Sequence, residues 1–261
     1  MIALDAGNTR IKIGYYNNGQ KNTVVFADAG SPGDALQQVL HVLHSAAETQ
    51  HWYLAPTNCR FHCDSFIQSV RKVRPNDTFE TLTYRQIPLP LSNRHGVSKG
   101  IAQPEKIGID RLLGAYAASV LRPNVPVLAA DAGSAVTIDL VRDGSYCGGA
   151  TVPGLRFLAD TFPRISERLM RIDLPMQTIP PYPCCSTEES MLSGLYWTVI
   201  GAIRQFAELS GAEAIFLTGG DSNWLYAGLQ RYISAERLVL QPDLVLDGIN
   251  YIGNYAPPYS G

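Results

Sequence analysis

The sequence contains no run of lysine or arginine, no long uninterrupted apolar stretch and no even set of cysteines. Each absence closes off a class. With 21 basic against 23 acidic residues and a formal net charge of −2, nothing in the chain suits a phosphodiester backbone, so no nucleic-acid partner is expected. No stretch approaches the length that spans a bilayer, and too little precedes Asp5 to form the apolar core of a secretory signal. The expectation is a cytoplasmic protein with no membrane partner. Five cysteines, including the adjacent Cys184 and Cys185, read as reduced thiols rather than as the framework of a secreted domain. In "CRFHC", Cys59, His62 and Cys63 offer soft ligands, but the second cluster that usually completes a tetrahedral zinc site is missing. The spacing of "DALQQVLHVLHSAAE" puts Leu36, Val39, Leu40 and Leu43 on the apolar stripe of a helix and leaves His41 and His44 on the wet side. His51 and His95 show no partner in the sequence, and no Ser, His and Asp set offers a covalent intermediate.

What is present is a repeat. "DAGNTRIK" begins at Asp5, and "DAGSAVTI" begins at Asp131, each behind a short apolar run that reads as a buried strand. In the first half "IKIGYY", the turn "NNG" and "NTVVFA" predict a hairpin; then come a helix from Asp34, the strand "HWYLAP", the helix "CDSFIQSVRKV" and a strand ending near Tyr84. Pro88, Pro90, Gly96 and Gly100 mark a long irregular segment, and "DRLLGAYAASVL" from Asp110 predicts a helix. Pro123 to Pro126 punctuate the chain, which places a boundary between domains of residues 1–121 and 122–261. In the second half the strand, acidic-glycine turn and strand return, with "RDGS" as the hairpin turn. Asp5 aligns with Asp131, Gly7 with Gly133 and Asn8 with Ser134, and the hairpin turns match if one residue is inserted. The pattern predicts an α/β fold made by duplicating one unit, with a cleft where the copies face each other.

The chemistry of the repeated turn suits a polyphosphate. Gly7 and Gly133 let the backbone come close to an anion, because no Cβ intervenes and positive φ is tolerated. Asn8, Thr9 and Ser134 add side-chain donors, and Asp5 or Asp131 can carry a hydrated cation beside the phosphates. A plain turn would also favour Asp and Gly, but recurrence at the same place in both halves argues against a turn alone. In "AIFLTGGDSNWLYAGL", a strand over Ile215 to Thr218 leads through Gly219, Gly220 and Asp221 into a helix. That glycine pair lets a base or ribose lie against the backbone, although helix entry after a strand draws on the same residues.

"DAGNTRIK", "GIDR" at Gly108 to Arg111, "DAGSAVT", "GGATVPG" at Gly148 to Gly154, "TGGD" and the closing "PDLVLDGI" stand in the order found in type III pantothenate kinases. The resemblance runs from Met1 to about Asn250 and is weakest between Tyr16 and Gly100. It implies the acetate and sugar kinase, Hsc70 and actin superfamily fold, two RNase H-like domains with the nucleotide in the cleft between them. It implies transfer of the γ-phosphate of ATP to the primary hydroxyl of pantothenate, giving 4′-phosphopantothenate in the first committed step towards coenzyme A. It also implies Mg2+, a monovalent cation (K+ or NH4+) and a homodimer. Carried over by position, Asp5, Ala6, Gly7, Asn8, Thr9, Arg10, Ile11 and Lys12 resemble the ATP phosphate loop, with Asp5 orienting the magnesium nucleotide. Gly108, Ile109, Asp110 and Arg111 resemble the pantothenate-binding stretch, with Asp110 as general base. Asp131 looks like the potassium ligand, Ser134, Gly219 and Gly220 like ATP contacts, and Thr187 like a pantothenate contact. Three departures stand out: Ile101 replaces a common tyrosine, Ser134 replaces a usual threonine, and Arg10 with Lys12 adds charge to a loop often neutral there.

The same residues have plainer readings. Asp110 opens a helix, where a carboxylate is stabilised by backbone N–H groups and the macrodipole whether or not it does chemistry. "STEE" fits a capping box with Ser186 as cap and Glu189 at the third position, so Thr187 also reads as a helix-start residue. Arg111 suits either the carboxylate of pantothenate or an ion pair bracing Asp110. The helix from Ser190 carries Leu192, Leu195, Tyr196, Val199, Ile203 and Phe206, with Ser193, Gly194 and Gly201 between them; it reads as core, or as a close pair across a dimer axis. The rival functions are a kinase for another small acceptor and a non-catalytic ATP-binding regulator. Retention of Asp5, Asp110 and Asp131 argues against lost catalysis.

Overall fold

The computed structural model describes residues 1–28, 32–43, 48–57, 63–91, 101 and 103–255. His44, Cys59, His62, His95, Gly96 and Gly100 lie outside them. In chain order, the elements of the first half are β1 (Ile2–Ala6), β2 (Arg10–Asn17), β3 (Gln20–Asp28), α1 (Pro32–Leu43), β4 (His51–Pro56), α2 (Cys63–Arg71), β5 (Thr78–Thr81) and α3 (Ile109–Leu121). Then follow β6 (Val127–Ala132), β7 (Ala135–Arg142), β8 (Ser145–Pro153), α4 (Leu155–Ile165), α5 (Thr187–Ser210), β9 (Ala214–Thr218), α6 (Ser222–Leu229), β10 (Leu238–Leu240) and α7 (Leu244–Tyr255).

Two sheets with the same topology result. One runs β3-β2-β1-β4-β5, the other β8-β7-β6-β9-β10. In both, the outer hairpin strands pair antiparallel and the remaining neighbours pair parallel. The duplication extends to irregularities. Each second strand bulges, between Tyr15 and Tyr16 and between Leu140 and Val141. Each hairpin turns through consecutive residues at positive φ, Asn18 (49°) with Gly19 (75°) and Asp143 (49°) with Gly144 (65°), the geometry that matches strand twist. The extra residue of the first copy sits in its loop: Asp5 pairs with Lys12, whereas Asp131 pairs with Thr137.

The compact units do not divide at a single point. One comprises Met1–Leu89, Ala102–Ala117 and Leu244–Gly261, the other Pro90–Ile101 and Ala118–Asp243. This differs from a cut between 121 and 122, because the chain's last helix joins the first unit, where Gly248 lies on the backbone of Leu113. The first unit's core gathers Ile2, Leu4, Ile11, Ile13, Val39, Leu43, Trp52, Leu54 and Phe66 around β1, which is buried on both faces. His41 faces solvent on α1, as its spacing implies. The second unit's core lies against α5, whose Leu195, Tyr196, Val199, Ile200 and Ile203 are buried. Burial pushes the Tyr196 phenol up to about 12, and its hydroxyl donates to the Trp224 carbonyl at 2.8 Å.

Several boundaries differ from the sequence expectation. β5 ends at Thr81, and Tyr84–Gln86 is a 3₁₀ turn whose Gln86 side chain accepts from the Thr83 amide. α5 begins at Thr187, where the capping-box reading with Ser186 as cap puts it rather than at Ser190, and the Ser186 hydroxyl accepts from the Glu189 amide at 3.1 Å. The reciprocal arm of that box reaches the Cys185 amide rather than that of Ser186. The described cysteines are free thiols. No helix among the described residues is long and apolar enough to cross a membrane.

Candidate functional site

In the first unit, β1 delivers Asp5 to its end and the chain turns sharply. The Gly7 amide donates to the Arg10 carbonyl at 3.0 Å, and a Cβ on Gly7 would stand 3.0 Å from that oxygen. Asn8, Thr9 and Arg10 are exposed at the tip. Ala6 and Ile11 point their side chains into the core, so only their backbone is available to a ligand. Asp5 is 9% exposed and stands directly opposite the half-buried Lys12 in the ladder, which puts a carboxylate and an ammonium on one face at the loop's base.

α3 begins one residue before Asp110. The Asp110 carboxylate accepts from the Arg111 amide at 2.9 Å, and that amide also reaches the Gly108 carbonyl at 3.1 Å. The carboxylate folds back over Gly108, where a Cβ would collide with Asp110 Oδ1. Glycine at 108 thus leaves Asp110 room to turn its oxygens toward the helix start. Ile109 is buried, whereas Asp110 and Arg111 are half-buried.

In the second unit three segments meet. The Gly133 amide closes its turn on the Ala135 carbonyl at 3.1 Å and leaves Ser134 exposed. Gly154, at the cap of α4, donates to the Ser134 carbonyl at 3.2 Å and sits so close that a Cβ would be 2.5 Å from the carbonyls of Gly133 and Ser134. Gly219, at φ +91°, faces Asp131: a Cβ there would overlap Asp131 Oδ1 and lie 2.6 Å from the Ala132 carbonyl oxygen. The Asp221 amide donates to that same carbonyl at 3.0 Å, and the buried Ser222 hydroxyl ties back to the Gly219 carbonyl at 2.7 Å. Gly220 is exposed, and Thr187 is exposed at the first position of α5.

Two points differ from the sequence reasoning. Neither Gly7 nor Gly133 adopts positive φ; in these loops glycine serves close approach, and the left-handed conformation falls on Gly219 instead. The motifs that contain Gly154 and Asp221 do not mark these two residues, and their places beside the Asp131 loop follow from chain segments far apart in sequence.

The loops fit a polyphosphate: both tips are exposed and built around glycine. The surroundings of Asp131 fit a cation. Its ladder neighbours are Thr137 and Thr218, Asp131 is half-buried, and Gly219 leaves open beside Oδ1 the room that a Cβ would fill.

Two sheets repeating one topology, each ending its first strand in an acidic-glycine loop, define an actin-like ATPase fold of two RNase H-like units. Solved structures agree on that fold. A conserved Baf family protein from Campylobacter jejuni superposes with a TM-score of 0.57 at 19% identity, covering 97% of this chain and 96% of its own. Component A of (R)-2-hydroxyglutaryl-CoA dehydratase from Acidaminococcus fermentans gives 0.53 at 13% identity, covering 98% and 96%. The sequence pattern of type III pantothenate kinases matches residues 1–209. A type III pantothenate kinase of Desulfovibrio desulfuricans is 31% identical over 95% of this chain and 94% of its own length. The chain belongs to the type III pantothenate kinase family.

Proposed function

We propose that this chain is the ATP-dependent kinase that phosphorylates pantothenate, the entry step to coenzyme A, with Asp110 as the base toward the primary hydroxyl. The observation that supports it most is the pairing, in one unit, of a phosphate-type loop with a carboxylate held at a helix start by the Arg111 amide. Phosphoryl transfer asks chiefly for in-line positioning and for charge that meets the developing charge on the phosphate oxygens. Backbone amides of both loops, with Asn8, Thr9 and Ser134, supply donors, and Lys12 adds positive charge. Asp110 accepts a hydrogen bond from the Arg111 amide that favours its anion, so it orients the hydroxyl and takes the proton late. Arg111 and Thr187 hold the acceptor. Gly219 and Gly220 lie against the nucleoside.

Mg2+ would supply charge that neutralises the nucleotide's phosphates, and the largely buried Asp5 would be the residue that orients it. Asp131, with Thr137 and Thr218 opposite it in the ladder and Gly219 leaving room beside Oδ1, would be the ligand for K+ or NH4+, whereas Asp5 stands opposite the cationic Lys12. The protein acts in the cytoplasm as a homodimer, with no membrane or nucleic-acid partner, and the exposed Gly194 and Gly201 of α5 suit close helix contact.

A coupled ADP-release assay across a small panel of hydroxyl acceptors tests the reading. Release that requires pantothenate is expected; equal release with a sugar or another small alcohol sinks it, and no release with any acceptor favours a regulator.

A further inference from the structure

The closing motif "PDLVLDGI" has no part in the chemistry above, yet it builds α7, the helix that returns the chain to the first unit. α7 packs on β1, β2 and β4, the strands at the centre of that sheet. Its Leu246 lies over Gly14 of β2. The neighbouring Asp247, 8% exposed, accepts from the Tyr16 hydroxyl at 3.2 Å and pairs with Lys21 Nζ at 3.6 Å, so it holds both arms of the β2–β3 hairpin. One turn on, Asn250 donates to the Gly19 carbonyl at 3.2 Å in the hairpin's turn. The hairpin begins at Arg10, directly after the loop tip, and pairs with the strand that carries Asp5.

The other face of α7 meets α3. Gly248 has no room for a side chain: a Cβ would overlap the Leu113 carbonyl oxygen and stand 2.9 Å from its carbon and 3.2 Å from its Cα. Leu113 is one helical turn beyond Asp110 and is wholly buried. Across the same seam, Gly114 packs against Leu244 and Val245. Because the atoms that face Gly248 are backbone, no rotamer change can absorb a methyl group added there; one helix must move.

We infer that Gly248 and Asp247 are positioning residues for phosphoryl transfer: adjacent on α7, they fix the first turn of α3, and hence Asp110, relative to the strand pair that presents the Asp5–Lys12 loop. The inference rests on Asp110 being the base. Displacement of a reacting group by about 1 Å is enough to slow a positioned reaction.

The test is a double-mutant cycle on the full chain. Gly248→Ala is expected to lower kcat by about tenfold while KM for ATP stays within about threefold, since the loop remains tied to Asp247. In an Asp110→Asn background the same change should lower the residual kcat by less than about twofold, because the group through which it acts is already disabled. Parental kcat in a folded Gly248→Ala, or a loss that multiplies undiminished in the Asp110→Asn background, overturns the inference. Parental kcat in Asp110→Asn alone overturns the base and this inference with it, so the failures are told apart. Should Gly248→Ala not fold, Tyr16→Phe, which loosens the hairpin rather than α3, enters the same cycle. Its expected loss is about threefold with the same non-additivity, and additive losses overturn the inference.

Discussion

Asp131 and Gly219 are in contact range only because residue 219 lacks a side chain: a Cβ there would overlap the Asp131 carboxylate oxygen. The room beside Oδ1 is thus set by a glycine at φ +91°, in a turn that is closed by hydrogen bonds from the Asp221 amide and from the amide and hydroxyl of Ser222. Gly219→Ala has both a collision and a strained backbone to accommodate. It should behave like a lesion at Asp131, with activity lost and the cation response flattened. Activity within about twofold of the parent would separate the two residues functionally.

The cation assignment has its own test. At constant ionic strength, which removes screening as a cause, activity should rise with potassium or ammonium and respond poorly to sodium. Asp131→Asn should flatten that response while magnesium dependence persists. Equal rates in sodium and potassium return Asp131 to the role of a turn residue.

Asp110→Asn keeps size and hydrogen bonding but removes basicity. kcat should fall by about a hundredfold or more with the circular dichroism spectrum and melting temperature unchanged. A variant within a few-fold of the parent is incompatible with Asp110 as base.

Asp5→Ala should weaken binding of the magnesium nucleotide far more than binding of pantothenate, measured separately by calorimetry. The reverse ranking would exchange the roles of the two loops.

Acid stability should follow Asp77. Burial pushes its carboxyl up, but Arg74 Nε at 2.7 Å, the Gln50 amide at 2.9 Å and the Trp52 indole at 2.9 Å together outweigh burial and hold it below the usual aspartate range. A depressed folded value means this stabilisation is present above the unfolded value of about 3.9 and is lost as pH falls through the folded one. Melting temperature should therefore drop below about pH 4, and Asp77→Asn should lower it at neutral pH while flattening that acid limb.

The start of α5 separates a cap from a contact. Ser186→Ala should cost about 1 kcal/mol in denaturant unfolding, since it removes the acceptor for the Glu189 amide. Thr187→Ala should leave stability within about 0.5 kcal/mol and raise KM for pantothenate. If both substitutions affect only stability, Thr187 is a helix-start residue and nothing more.

The sequence by itself determined the duplicated unit. Asp-Ala-Gly behind an apolar run, Asn-Gly and Asp-Gly at the hairpins and Ser186 before α5 each specify local geometry through a few neighbouring residues, by positive φ, period or capping. Where the local signal was weak, the end moved: β5 closed before Tyr84. Tertiary structure alone decided that α7 belongs with the first unit, that Gly154 and Asp221 flank the Asp131 loop, and that Gly248 abuts Leu113. In each case the decisive quantity is the steric room between backbones brought together from distant parts of the chain. A glycine inside a helix, such as Gly248, reads locally only as a poor helix former. Its meaning comes from the carbonyl that lies against it.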